Sequence, residues 1–129
     1  MSIETVKITG KGKDYLIRLK QRTGVETWNV ICRWGFCLSL SESSSPRTDR
    51  VFQGKSEIEM AWKTFGGEFS EVYLALIRQR CFSEGIELTE KNINEQFHLH
   101  IHRGLAYLMS NKKIQRIESL VELTPVGLL

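Results

Sequence analysis

The chain has no apolar run approaching the roughly 20 residues that a membrane-spanning helix needs. Its start, MSIETVK, lacks the basic and apolar regions of a secretory signal. Cysteine is scarce: Cys32, Cys37 and Cys81 are an odd number, set in apolar stretches, with no CxxC pair. That argues against a disulfide frame and for reduced, inert thiols, so a cytoplasmic protein is expected. Catalytic signatures are missing as well. There is no nucleophile elbow, no HExxH, no GxxxxGK[ST] phosphate loop and no nuclease-like carboxylate cluster. These absences argue against an enzyme, and no cofactor is implied. Internal repeats and low-complexity tracts are lacking too.

What is present fits one globular domain. The chain has 129 residues, 41% of them hydrophobic and 26% charged, enough to bury a real core. The net charge of +3 is too small to imply nucleic acid, but its distribution is uneven. Residues 1–40 carry Lys7, Lys11, Lys13, Arg18, Lys20, Arg22 and Arg33 against Glu4, Asp14 and Glu26. Residues 41–110 hold eight basic and ten acidic side chains. A basic patch on a neutral protein is the footprint of a phosphate-binding face. An ordinary solvated helix face has the same composition, so the context must decide.

That context starts with a short strand whose polar face is Thr5, Lys7 and Thr9 and whose apolar face is Val6 and Ile8. A lone strand cannot satisfy its edges, so pairing with a second copy is expected. A basic helix over about 11–22 follows, with Gly24 as its left-handed cap. Thr27 is placed to cap a helix over about 28–41, which is apolar nearly all round and carries only Arg33 as a charge. Such a helix belongs at the centre of the fold or at a subunit interface. SESSSPRTDR at 41–50 reads as a polar loop, and EMAWKTFGGEF as a turn leading into a helix. The next helix, about 68–84, has Phe69, Val72, Tyr73, Leu76 and Ile77 as its stripe and Gly85 as its stop. Thr89 caps a last long helix, about 90–109, with Ile93, Phe97, Ile101, Leu105 and Leu108 at helical spacing. KKIQRIESLVEL in the tail could form a loose further helix.

Two constellations could carry chemistry. His98, His100 and His102 would share one face of a strand and bind a metal. On a helix, His98 and His102 lie one turn apart and His100 points into the apolar stripe, so no metal site is expected. His100 then reads as a packed or inter-subunit histidine, with His102 and Arg103 facing solvent or a phosphate. Gly66-Gly67, with Lys63 nearby, could cradle a phosphate, although a tight turn explains the pair better.

Three segments together resemble the DndE family, small proteins of bacterial DNA phosphorothioation. They are YLIRLKQRTGVETWNVICRWGFCLSL, EMAWKTFGGEFSEVYLALIRQRC and FHLHIHRGLAYL, at 15–40, 59–81 and 97–108. The Trp28, Asn29, Arg33, Trp34 spacing, the Trp62-to-Gly67 turn and the His-x-His-Arg-Gly end are specific in combination. The resemblance implies a mainly α fold, a short N-terminal strand followed by four or five helices with ribbon-helix-helix-like topology. It implies a homo-oligomer working beside a cysteine desulfurase, a sulfur-transferring partner and a DNA-handling ATPase. A single helical domain over 1–110 and a separate tail over 111–129 are expected.

The combined expectation is a non-enzymatic DNA-binding component of that system. It would hold nicked or distorted double-stranded DNA with little sequence preference, as a homotetramer and without a membrane or metal. Lys7, Lys11, Lys13, Lys20, Arg22, Lys63, His102 and Arg103 are the candidate DNA contacts. Trp28, Ile31, Trp34 and Leu38 are the candidate interface. The rivals are a ribbon-helix-helix repressor, which would prefer one operator, and a DNA nickase.

Overall fold

A computed structural model of the chain describes residues 3–47, 54–111 and 117–121. Two short strands, β1 (Thr5–Thr9) and β2 (Ser56–Ala61), form an antiparallel ribbon. Around it lie helices α1 (Gly10–Thr23), α2 (Trp28–Ser41), α3 (Trp62–Gly66), α4 (Ser70–Ser83), α5 (Glu90–Ser110) and α6 (Ile117–Val121). A 3-10 turn, Gly67–Phe69, joins α3 to α4. The architecture is mainly α, as the sequence predicts.

The strand does not wait for a second copy. β2 arises from part of the stretch read above as a turn, and it supplies the partner from the same chain, with Val6 opposite Met60 and Ile8 opposite Ile58. Met60 is half-buried, and Val6, Ile8 and Ile58 are buried beneath the ribbon. The SEIEMA alternation is the period-2 signal that fixes this register.

Helices α2 and α5 are the centre. Gly35 and Gly104 face each other where the two cross, and a Cβ at Gly104 would overlap the Gly35 carbonyl. The missing Cβ at Gly104 is what lets the backbones come this close, and Gly35 relieves a further tight contact at 3.1 Å. Either side of the crossing, Phe36 and Phe97 meet with centroids 5.0 Å apart. Phe65 adds edge contacts at 6.0 Å to Phe36 and 5.1 Å to Phe97, and Trp62 packs at 4.9 Å on Phe97. Each such aromatic pair adds about 0.5–1.5 kcal/mol beyond its buried area.

The helix ends follow their sequence signals. Thr9 Oγ1 accepts from the Gly12 N–H, and Thr89 Oγ1 from that of Asn92. Gly24, at φ 73°, closes α1 with its N–H on the Lys20 carbonyl. Gly85, at φ 74°, follows α4. Thr27 is extended before α2 but makes no side-chain cap bond. In the tail, Leu120 of α6 is buried, and α6 packs against α1. The tail residues 112–116 and 122–129, and residues 48–50 of the polar loop, lie outside the described residues.

Gly104→Ala should cost about 3 kcal/mol or more, because its methyl meets backbone that cannot turn aside. Gly85→Ala, which has open space around it, should cost only about 1 kcal/mol for the left-handed φ. Urea unfolding of both variants checks the contrast.

Candidate nucleic-acid interface

Helix α1 buries Gly12, Leu16, Leu19 and Thr23, so its charged side chains are turned outward on two flanks. At 100° per residue, Lys11, Arg18 and Arg22 share one flank with Tyr15, and Lys13 and Lys20 share the other with Ile17. Lys11 Nζ lies 5.3 Å from the Tyr15 ring centroid. Lys11, Arg18 and Lys20 are exposed, and Lys13 is half-exposed. The first turn carries no acidic residue, and Lys20 and Arg22 suit the negative end of the helix dipole. Arg22 is partly committed to the fold, since Nη1 donates to the Met109 carbonyl at 3.3 Å. Arg18 is the residue the sequence reading passed over. The 3.6-residue period places it beside Lys11 and Arg22, and that signal was available.

The ribbon is less basic than expected. Lys7 is exposed but pairs in register with Glu59, and Glu57 is exposed on the same strand, against Gly10. One lysine against two glutamates does not make a cationic ribbon, so the basic surface is centred on α1. Lys63 is exposed on α3, away from that helix in sequence. The Gly66-Gly67 pair is a tight turn rather than a cradle. The Gly67 N–H is spent on the Lys63 carbonyl, and a Cβ at Gly66 would meet Ser70 at 2.7 Å.

His102 and Arg103 are not surface residues, against expectation. His102 is 3% and Arg103 9% exposed. Arg103 holds the end of α2: Nε donates to Ser39 Oγ at 2.8 Å, Nη2 to the Ser39 carbonyl at 2.7 Å, and Nη1 to the Ser44 carbonyl at 2.9 Å. Arg80 of α4 does the same from the other side, donating to the carbonyls of Leu40 and Ser44 at 2.9 Å each. The two guanidiniums take carbonyls that the helix end leaves unpaired. An Arg80–Glu84 ion pair at 2.6 Å, with burial working against it, lets the neighbouring arginine hold the Glu84 carboxyl below its ordinary range.

The histidines divide as the helical spacing predicts. His100 is fully buried, with Nδ1 2.8 Å from Ser39 Oγ. Burial first, then the charges of Arg103 and Arg80, push its pKa down to about 4. Arg103 already donates to Ser39 Oγ, so the Ser39 hydroxyl proton is free to bond Nδ1. Among the described residues, no group of three or more His, Cys, Asp or Glu could hold a metal ion.

A second surface is apolar. Val30, Arg33, Trp34 and Cys37 of α2 and Tyr73 of α4 line an open groove of about 460 Å³. Phe69, just before α4, and Val72 and Leu76 on it are 56%, 52% and 41% exposed, although their spacing predicted a core stripe. Ile77 and Cys81, on another face of α4, are the ones buried. Of the candidate interface, Trp28, Trp34 and Leu38 are half-buried, whereas Ile31 lies in the protomer's own core at 1% and is closed to any partner. Helix α2 is therefore open along one side, not covered all round. Cys37 is exposed although it sits in the apolar α2, while burial raises the Cys32 thiol to about 12 despite the Arg33 charge.

The geometry defines a small helical protein with a cationic first helix and an uncovered apolar face. Residues 5–116 match the family model of the DNA sulphur modification protein DndE, and the chain belongs to that family. The fold is similar to the crystal structure of DndE from Escherichia coli B7A, described as involved in DNA phosphorothioation modification. The TM-score is 0.69 at 22% identity, covering 84% of this chain and 98% of that one. None of the curated proteins matches. No helix among the described residues is long and apolar enough to cross a membrane.

Arg103→Ala should lower stability by about 2–4 kcal/mol, because it strips charge-assisted bonds from buried acceptors. Thermal melts check this. The salt dependence of any DNA binding should stay unchanged, whereas loss of a phosphate contact would reduce it.

Proposed function

We propose that the chain is a non-catalytic DNA-binding component of the DNA phosphorothioation system. It holds nicked or distorted duplex on α1 and works as a homo-oligomer beside the other proteins of that system. The observation that carries the reading is α1 itself, with Lys11, Lys13, Arg18 and Lys20 projecting from two flanks of a helix anchored by its apolar face. Family membership supplies the setting, since sulfur enters the phosphate backbone. A strand break lowers the few kcal/mol that bending a duplex onto a fixed surface demands. Several copies of α1 in one assembly would engage both arms of a flexed duplex at once.

The apolar face supports the assembly. Trp34 with Val30 and Tyr73 line the groove, and Phe69, Val72 and Leu76 are exposed as well; closed symmetry is the usual way to cover apolar surface of this kind. A tetramer is the proposed state.

The decisive experiment compares intact, nicked and single-stranded DNA of one sequence in gel shifts at two salt concentrations. Nicked duplex should bind tightest. Lys13→Glu with Lys20→Glu should weaken binding to all sequences alike, the salt slope falling by about one for each lost contact. Equal affinity for nicked and intact duplex would remove the nick preference. Preference for one intact sequence by about 10³ would favour a repressor. Relaxation of supercoiled plasmid with added divalent metal would point to a nickase instead.

Trp34→Glu should leave a folded protomer, because the side chain is already half-exposed, but dissociate the assembly by placing an unpaired charge in an apolar interface. Light scattering at micromolar concentration reads the outcome, and a wild-type monomer there would remove the oligomer.

A further inference from the structure

Pairing with β2 satisfies only one edge of β1. The opposite edge presents the N–H groups of Lys7 and Thr9. Both end on imidazoles of α5: the Lys7 N–H donates to His98 Nε2 at 3.0 Å, and the Thr9 N–H to His102 Nε2 at 3.2 Å. The spacing explains the match. Two residues of strand rise about 6.6 Å, and four residues of helix about 6 Å. A histidine pair one turn apart therefore meets alternate amides of an edge strand.

The other ring nitrogen fixes the protonation state. His98 Nδ1 lies 2.7 Å from the Asn94 carbonyl, and His102 Nδ1 2.7 Å from the His98 carbonyl. A carbonyl only accepts, so each Nδ1 carries the proton and each Nε2 offers its lone pair. An imidazolium would turn N–H against N–H at both contacts.

We propose that His98 and His102 form a two-point latch that positions β1 and the start of α1 only while both rings are neutral, and that acid opens it. Thr9 belongs to both parts, being the last residue of β1 and the N-cap of α1. Opening the latch loosens the strand and the basic helix together. The surroundings favour the neutral rings. Burial lowers both pKa values below the ordinary histidine value of 6.5. For His98 the charges of His102 and Lys7 act the same way, while the Asn94 carbonyl opposes. For His102 the His98 carbonyl opposes. Other charged groups close by in the fold are Lys11 and Lys13, flanking the Gly12 that packs on His102, Glu57 and Glu59 on β2, and Glu4, Glu90 and Lys91, which line one pocket with Lys7 and Asn94. Because the folded values are depressed, the latch is intact above the ordinary histidine value. Its stabilisation is lost as pH falls from there through the folded values.

The consequence for DNA rests on the function proposed above, so the test separates the two. Nitrogen-15 NMR of the full chain follows the four imidazole nitrogens and the exchange protection of the Lys7 and Thr9 amides, from about pH 7.5 to about pH 5. The expected result is the Nδ1–H tautomer in both rings at neutral pH, with amide protection lost as the rings titrate. His98→Gln with His102→Gln, whose side-chain oxygens accept at any pH, should keep both amides protected across the range. Nε2–H tautomers, or amides still protected after both rings titrate, would overturn the latch. If the double variant fails to fold, the wild-type tautomer and protection profile decide alone. In parallel, DNA affinity of the wild type should weaken several-fold in acid, although added positive charge alone would strengthen it. An opened latch in a protein that binds DNA at no pH confirms the latch and refutes the DNA-binding reading.

Discussion

The backbones of α2 and α5 approach one another at Gly35 and Gly104 so closely that Gly104 has no room for a side chain and a Cβ at Gly35 would press on the α5 backbone at 3.1 Å. That contact sets the separation and angle of the two central helices, and most other features inherit their place from it. It brings Phe36 onto Phe97 and so builds the aromatic cluster with Phe65 and Trp62. It puts Ser39 within reach of His100 and Arg103, so the end of α2 is tied by side chains of α5. It also fixes the rotation of α5 about its own axis. One side of α5 then meets α2 while the side bearing His98 and His102 meets β1.

Burying polar groups at this centre has a definite logic. Arg103 is an expensive residue to take out of water, yet its donors meet Ser39 and Ser44, which leaves few unpaired demands. Arg80 brings its own carboxylate, Glu84. The two arginines do for the C-terminus of α2 what a glycine cap does for α1. This lets α2 end on Ser41 and turn into an extended Glu42 without a left-handed residue.

Much of this was legible in the sequence, and the exceptions have a common cause. Bounds for α1, α2, α4 and α5 followed from caps and periodicity, because Gly24, Gly85 and Thr89 act through neighbours within a few residues; the Thr9 cap on α1 was not read from the sequence. The placement of the histidines on a helix, with His100 turned inward, was right for the same local reason, although His102 is buried as well. What failed depended on tertiary partners. β2 was hidden because SEIEMA is short, and its alternation of glutamates with Ile58 and Met60 gains meaning only once β1 is beside it. Arg103 looked like a surface cation because nothing local shows that its partners lie more than 50 residues away, at Ser39 and Ser44. Phe69, Val72 and Leu76 read as core because periodicity reports an apolar face but not whether the same chain covers it. Lys7 looked like part of a basic ribbon until Glu59 and Glu57 appeared beside it.

The ribbon also sets an order of events during synthesis. β1 is made before either of its partners, whatever precedes it in the chain. Its inner edge has nothing to bond until β2 has left the ribosome. Its outer edge has nothing to bond until His98 and His102 follow, 91 and 93 residues after the amides they accept from. Contacts this distant carry a large loop-closure cost, and they form late. The cationic segment is therefore the first part of this fold to emerge and among the last to be ordered, so a truncated chain lacking α5 cannot present it in its finished geometry.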